Sequence, residues 1–204
     1  MQQISKNIVK SALLFGGTLG AASAANAGLT VTGANIYLDV AGTQFMTSDV
    51  ATAMAGGMAY DAISGGSLTL SAFTSSGFSL TANSAGGAGI WSVFAAQYAF
   101  TADSLTTVSL SGNTAADSAV IWLYDNTTSS TLFLRGDGGP GEAWTSGNID
   151  LAAGHTFTLS VNPSYANGGT ETGTVLDFAV TAMPAPGAAA LLGLAGLIAR
   201  RRRA

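Results

Sequence analysis

Between residues 28 and 182 the chain alternates apolar and polar side chains with a period of two, and clusters of Gly, Ser, Asn and Asp cut the alternation into short runs. Successive side chains on an extended strand point to opposite sides, so this period fits strands with one buried face and no regular helix. Leu29 to Val40 opens as Leu29, Val31, Gly33, and Ser67 to Phe73 places Leu68, Leu70 and Ala72 on one side. Phe78 and Leu80 follow, then Trp91, Val93, Ala95 and Gln97 before Tyr98 to Phe100 continue the strand. Val108 with Leu110, Phe157 with Leu159 and Val161, and Leu176 with Phe178 and Val180 repeat the pattern. Ala119 to Tyr124 is more continuously apolar and reads as a central strand with Trp122 in the core, and Thr131 to Leu134 follows a Ser/Thr turn. Turn-forming clusters such as Gly65-Gly66, Ser75-Ser76-Gly77, Ser111-Gly112-Asn113 and Asn167-Gly168-Gly169 separate the runs. Many short strands with regular turns predict a mainly β chain, a single antiparallel β-sandwich of jelly-roll-like form over residues 28–182.

One stretch departs from this pattern. In Phe45 to Ile63, Met46, Val50, Met54 and Met58 recur near helical spacing, but Gly56-Gly57 interrupts them. Two glycines inside a helix cost about 2 kcal/mol, so a short helix or a loop insertion is expected here.

The charge distribution narrows the partners. Of the seven basic residues, Lys6, Lys10 and Arg200 to Arg203 lie outside residues 28–182 and only Arg135 lies within. All eleven acidic residues lie within, so the body carries a formal charge of 1 − 11 = −10. It has no basic patch to neutralise phosphate, which argues against nucleic acid as a partner. There is no cysteine, so disulfides, thiol nucleophiles and cysteine-based metal sites are excluded.

Residues 1–27 read as a secretory signal peptide. Lys6 and Lys10 form a basic start, Ala12 to Ala22 an apolar middle, and Ala25-Asn26-Ala27 a small-x-small cleavage site that leaves Gly28 as the new terminus. Ala22-Ser23-Ala24 is a second site of the same kind. These residues imply the Sec translocon and signal peptidase as partners.

Residues 183–204 carry an opposite set of signals. Pro184-Ala185-Pro186-Gly187 comes first, then the apolar run Gly187 to Ala199, then Arg200, Arg201, Arg202 and Arg203. The prolines stop a helix from extending back into the body. Thirteen residues make a helix of roughly 20 Å against a bilayer core of about 30 Å, short for a lasting anchor. The arginines favour the cytoplasmic side and snorkel to headgroups.

The order motif, short transmembrane helix, arginine cluster resembles the PEP-CTERM sorting signal of Gram-negative bacteria. The middle motif position holds Ala185 where the family has Glu. The resemblance covers residues 183–204 and implies processing by an exosortase, a membrane-embedded cysteine protease or transpeptidase. The protein is then expected to be exported, held transiently at the inner membrane and released to the cell surface or the extracellular space. Leu151-Ala152-Ala153-Gly154-His155-Thr156-Phe157-Thr158-Leu159 is similar to an L-x-x-G-x-Y-T-L strand start common in secreted β-sandwiches, in which Gly154 turns the chain and Phe157 and Leu159 enter the core.

Chemistry in the body is sparse. His155 stands alone as a histidine, and no serine lies in a nucleophile-elbow context, so no catalytic residue is assigned and no enzyme activity is expected. Carboxylate pairs suited to glycoside hydrolysis, Asp137 with Glu142 or Asp117 with Asp125, cannot be ranked, and turn residues of this kind are ordinarily solvated. No cofactor is expected; the calcium candidates are Asp137 and Glu142, on the Gly-rich loop 137–142. Among Trp91, Trp122 and Trp144, the last lies in a polar loop and is the candidate for an exposed sugar-stacking ring. The leading expectation is a non-enzymatic surface or matrix protein. The alternatives are a carbohydrate-binding module for exopolysaccharide and, behind it, a polysaccharide hydrolase.

Overall fold

The computed structural model describes residues 24–26, 28–63, 65–83, 92–113, 120–135, 143–166 and 172–181. Its elements are β1 (Ala24–Asn26), β2 (Leu29–Val40), β3 (Thr43–Thr47), α1 (Val50–Ala55), β4 (Gly57–Tyr60), β5 (Ser67–Leu70), β6 (Gly77–Asn83), β7 (Ser92–Ala102), β8 (Thr106–Gly112), β9 (Val120–Asp125), β10 (Ser130–Arg135), β11 (Trp144–Leu151), β12 (Thr156–Ala166) and β13 (Thr172–Thr181).

The strands form two antiparallel sheets. The first has the order β1-β2-β7-β12-β9-β10, with β3 also pairing to β2, and the second has the order β11-β8-β13-β6-β5-β4. Aromatic rings hold the sheets face to face. Phe78 of β6 meets Tyr98 of β7 at 4.8 Å between centroids, and Phe178 of β13 meets Phe100 of β7 at 5.9 Å. Phe73 and Phe157 extend the cluster on either side. Each of these rings is buried, which removes a large apolar area from water and is the main favourable term for a chain with so few charges. The molecule is therefore a β-sandwich, and the period-two alternation is its cause: Leu29, Val31, Phe157, Leu159, Val161, Leu176 and Phe178 all lie in the shared core.

The alternation changes phase where a strand bulges. In β2 the register shifts between Val31 and Gly33, so the buried set continues as Ala34, Ile36, Leu38 and Val40 rather than through Gly33. Strand β7 buries Ala96, Tyr98, Phe100 and Ala102, which leaves Ala95 and Gln97 on the outer side.

Residues 45–63 hold both of the expected possibilities and more. Phe45–Thr47 completes β3, and a single helical run follows as α1. The Asp49 side chain caps α1, accepting 2.8 Å hydrogen bonds from the Thr52 amide and hydroxyl, and these bonds lower the Asp49 pKa. Gly56 ends the helix in the left-handed region instead of interrupting it, and Gly57 begins β4. Tyr98 fastens α1 to the core: its buried hydroxyl donates to the Ala53 carbonyl at 3.0 Å, and burial pushes its pKa well up.

The segment Leu151–Leu159 behaves as expected. Leu151 closes β11 in the core, Gly154 turns with φ 78°, and Phe157 and Leu159 are buried in β12. Strand β11 itself lacked a clear alternation in the sequence, because a bulge between Thr145 and Asn148 breaks its pairing with β8.

Candidate functional site

Two places in the described structure gather side chains with chemical potential. One is the end of β9. Asp125 falls on the inward side of the strand and is buried, yet it is fully partnered. Its Oδ1 accepts from the Thr127 and Thr128 amides at 2.8 and 3.2 Å, and its Oδ2 lies 2.8 Å from His155 Nδ1. Burial works to raise the Asp125 pKa, but the bonds from His155, Thr128 and Thr127 outweigh it and hold the carboxyl below its ordinary value. The pair closes the β9–β10 turn onto the start of β12. Asp125 is therefore committed to a structural clasp, and this contact gives the isolated histidine a partner that spacing did not reveal.

The other place is the outer face of the first sheet. Trp122 was expected in the core. Instead Ile121, Leu123 and Asp125 point inward, while Trp122 and Tyr124 are half-buried on the outer side. The run was continuously apolar because both sides of β9 carry large side chains, one packed on the core and one on the sheet surface. Strict alternation within Ile121-Trp122-Leu123-Tyr124, read against the inward Asp125 turn, is the signal that separates the two sides. The rings of Trp122 and Tyr124 sit 4.9 Å apart with planes at 50°. Trp122 Nε1 donates to Thr131 Oγ1 of β10 at 3.2 Å, which fixes the indole. On β12, Ser160 stands opposite Trp122 and Thr158 opposite Tyr124; Gln97 of β7 and then Asn35 of β2 continue the Ser160 row.

Trp144, the expected exposed ring, is half-buried and serves as a fastener between the sheets. It pairs with Gly112 on the inward side of β11, stacks on Phe133 of β10 at 5.9 Å and 17°, and has the Arg135 guanidinium 4.9 Å from its ring centre. Its surfaces are taken up by the protein, so it is not an open stacking platform. The reason is position: the loop before it is polar, but Trp144 itself opens β11, where alternation directs it toward the sandwich edge.

The remaining sequence candidates fall partly outside the described residues. Asp137, Glu142, Asp117, Trp91, Ala27, Pro184 to Gly187 and Arg200 to Arg203 lie there. Ala25 lies in β1, opposite Thr30, and Gly28 sits in the turn before β2, where its carbonyl accepts from the Asp103 amide at 2.6 Å. Among the described residues, no group of three or more His, Asp or Glu side chains is arranged to hold a metal ion, and no helix is long and apolar enough to cross a membrane.

Fold and surface together define an acidic antiparallel β-sandwich with an uncharged aromatic strip on one outer face. No protein-family model matches the chain, and no curated protein or solved structure matches it.

Proposed function

We propose that the protein is a non-enzymatic cell-surface or extracellular-matrix component, exported by the Sec route and sorted through residues 183–204. The observation that carries this reading is the order of parts in the tail: Pro184-Ala185-Pro186, an apolar run too short for a comfortable span, and four consecutive arginines. The basic, apolar and small-residue order of residues 1–27 supports it from the other end. A signal helix, a transmembrane helix and a jelly-roll-like form of the sandwich belong to the same reading, the last supported by the chain crossing between sheets at β3–β4, β6–β7, β7–β8, β8–β9, β10–β11, β11–β12 and β12–β13. The partners are signal peptidase and an exosortase-type protease. The body suits passive exposure outside the cell: it is acidic and free of thiols.

Replacing Arg200 to Arg203 with serine tests the sorting step in a native exporting host. The expected result is loss of the processed form and a changed distribution between envelope and medium, with mass spectrometry showing a mature C-terminus near residue 186 only in the wild-type chain. Unchanged mass and unchanged location would overturn the proposal.

A further inference from the structure

The two outer faces of the sandwich carry different chemistry, and the difference is not needed for folding. The outer side of the second sheet is made chiefly of small hydroxyl side chains and carboxylates, Ser109, Ser111, Thr81 and Thr69 with Asp150 and Asp177, and its large exposed side chains, Met58 and Tyr60, lie on the edge strand β4. That composition is sufficient to keep a sheet wet on one side. The first sheet has a comparable hydroxyl and amide lawn, but on β9, the strand beside the β10 edge, stand Trp122 and Tyr124, two large rings that the protein covers only in part.

We propose that this strip binds a single chain of a neutral polysaccharide that runs across the strands, with Trp122 and Tyr124 side by side against its sugar rings where it crosses β9 and Thr131, Gln97 and Asn35 meeting hydroxyls along its length. Four observations favour that occupant. The strip itself holds no charged side chain: its rows run Asn35, Gln97, Ser160, Trp122, Leu134 and Gly33, Ala99, Thr158, Tyr124, Thr131, with Leu134 exposed at the β10 edge. A cationic ligand finds no carboxylate there, and an anionic one meets a body of formal charge 1 − 11 = −10, so a neutral ligand is the one the electrostatics admit. Aromatic faces beside amides and hydroxyls match a sugar, which presents C–H bonds on its ring face and hydroxyls at its rim. The bond from Trp122 Nε1 to Thr131 holds the indole in place before any ligand arrives, which reduces the ordering cost of binding.

The 50° between the ring planes narrows the ligand further. Coplanar rings suit the flat surface of a crystalline polymer, whereas tilted rings suit a single twisting chain. This inference deepens the surface-protein reading by naming what the exposed body touches, and it depends on that reading only for where protein and glycan meet.

The test is affinity electrophoresis of the detergent-solubilised full chain through gels containing soluble mixed-linkage β-glucan, galactomannan or dextran, with alginate as the anionic counterpart. Retardation by at least one neutral polymer and none by alginate is expected. Trp122→Ala and Tyr124→Ala should each weaken retardation at least about tenfold, as for truncation of a central aromatic at a binding surface. Trp122→Phe should retain most of it, and Ser109→Ala on the other face should leave it unchanged. Far-ultraviolet circular dichroism of each variant separates lost binding from lost fold. No retardation by any of the three neutral polymers would overturn the inference, as would retardation that survives in a folded Trp122→Ala, Tyr124→Ala double variant, or binding confined to alginate. Binding that persists when Arg200 to Arg203 are replaced, in cells that no longer sort the protein, would show the sorting proposal and the glycan site to be independent.

Discussion

Removing one oxygen from Tyr98 offers a graded test of how the core and the helix α1 are joined. The side chain is fully buried, its ring packs 4.8 Å from Phe78 and 5.5 Å from Phe73, and its hydroxyl donates to the Ala53 carbonyl at 3.0 Å. In Tyr98→Phe the ring contacts stay and the hydrogen bond goes. A buried carbonyl left without any donor would cost about 1–3 kcal/mol, but Ala53 still receives the Gly56 amide at 3.3 Å. The loss should therefore stay at the low end, about 1 kcal/mol, the net worth of an ordinary hydrogen bond. Tyr98→Ala removes the ring as well and should cost about 3–5 kcal/mol, because it opens a cavity between the sheets beside Phe73, Phe78 and the Ala53 turn. Equilibrium urea unfolding followed by circular dichroism measures both, provided the dependence on urea stays the same. Hydrogen exchange adds a local readout, since Tyr98→Phe should speed exchange in α1 and leave the β7–β12 ladder protected. If Tyr98→Phe were as costly as Tyr98→Ala, the ring would contribute little and the stacked aromatic core would be the wrong description of what holds the sheets together.

Two further outcomes follow from the same geometry. The Asp125 pKa is lowered in the folded protein, so its contribution to stability is complete above the unfolded carboxyl value of about 3.9 and disappears as pH falls through the lower folded value. Acid titration of the unfolding midpoint should show this loss below about pH 4, and Asp125→Asn should both cost about 1–2 kcal/mol at neutral pH and flatten the acid limb. A variant with an unchanged acid limb would show that the carboxylate is not clasped to His155 and the β9–β10 turn. At the glycines, Gly77→Ala and Gly154→Ala should separate backbone strain from crowding. Both residues have positive φ, 114° and 78°, but a methyl at Gly154 meets open space, whereas at Gly77 it would fall on the Phe178 carbonyl of the neighbouring strand. Thermal unfolding should report about 1–2 kcal/mol for Gly154→Ala, the cost of the conformation alone, and clearly more for Gly77→Ala; equal effects would refute the crowding argument.

Most of the strands were legible because burial on one side leaves a mark on the sequence. Leu29–Val40 and the strands through Phe78, Phe157 and Phe178 each show a period of two bounded by turn residues, and each is a strand in the sandwich. What stayed hidden has a physical cause in each case. Thr43–Thr47 and Gly57–Tyr60 are edge strands whose inward side is only Phe45 and Ala59, while Met46 and Met58 are 60% and 51% exposed, so apolar side chains stand on both sides and the alternation is masked. In Trp144–Leu151 the bulge shifts the phase midway, and a strand that changes phase cannot be found by counting in twos.

The candidate binding strip was harder to see than the fold because a side chain's type does not say which side of a sheet it occupies. Trp122 and Trp144 were assigned by the polarity of their neighbours, and the structure reverses both: the tryptophan in the apolar run is on the outer sheet surface, and the one after the polar loop fastens the two sheets. Neighbour polarity reports the average of two faces, whereas burial depends on parity. For Val120–Asp125 parity alone resolves the matter, since Leu123 and Ile121 are the residues that pair in register with inward-facing Leu159 and Val161. An aromatic pair that parity sends outward, on a strand whose inward side is already filled by Ile121, Leu123 and the clasped Asp125, is not required by the core, and that surplus is what singles out the first sheet's outer face as the surface to test.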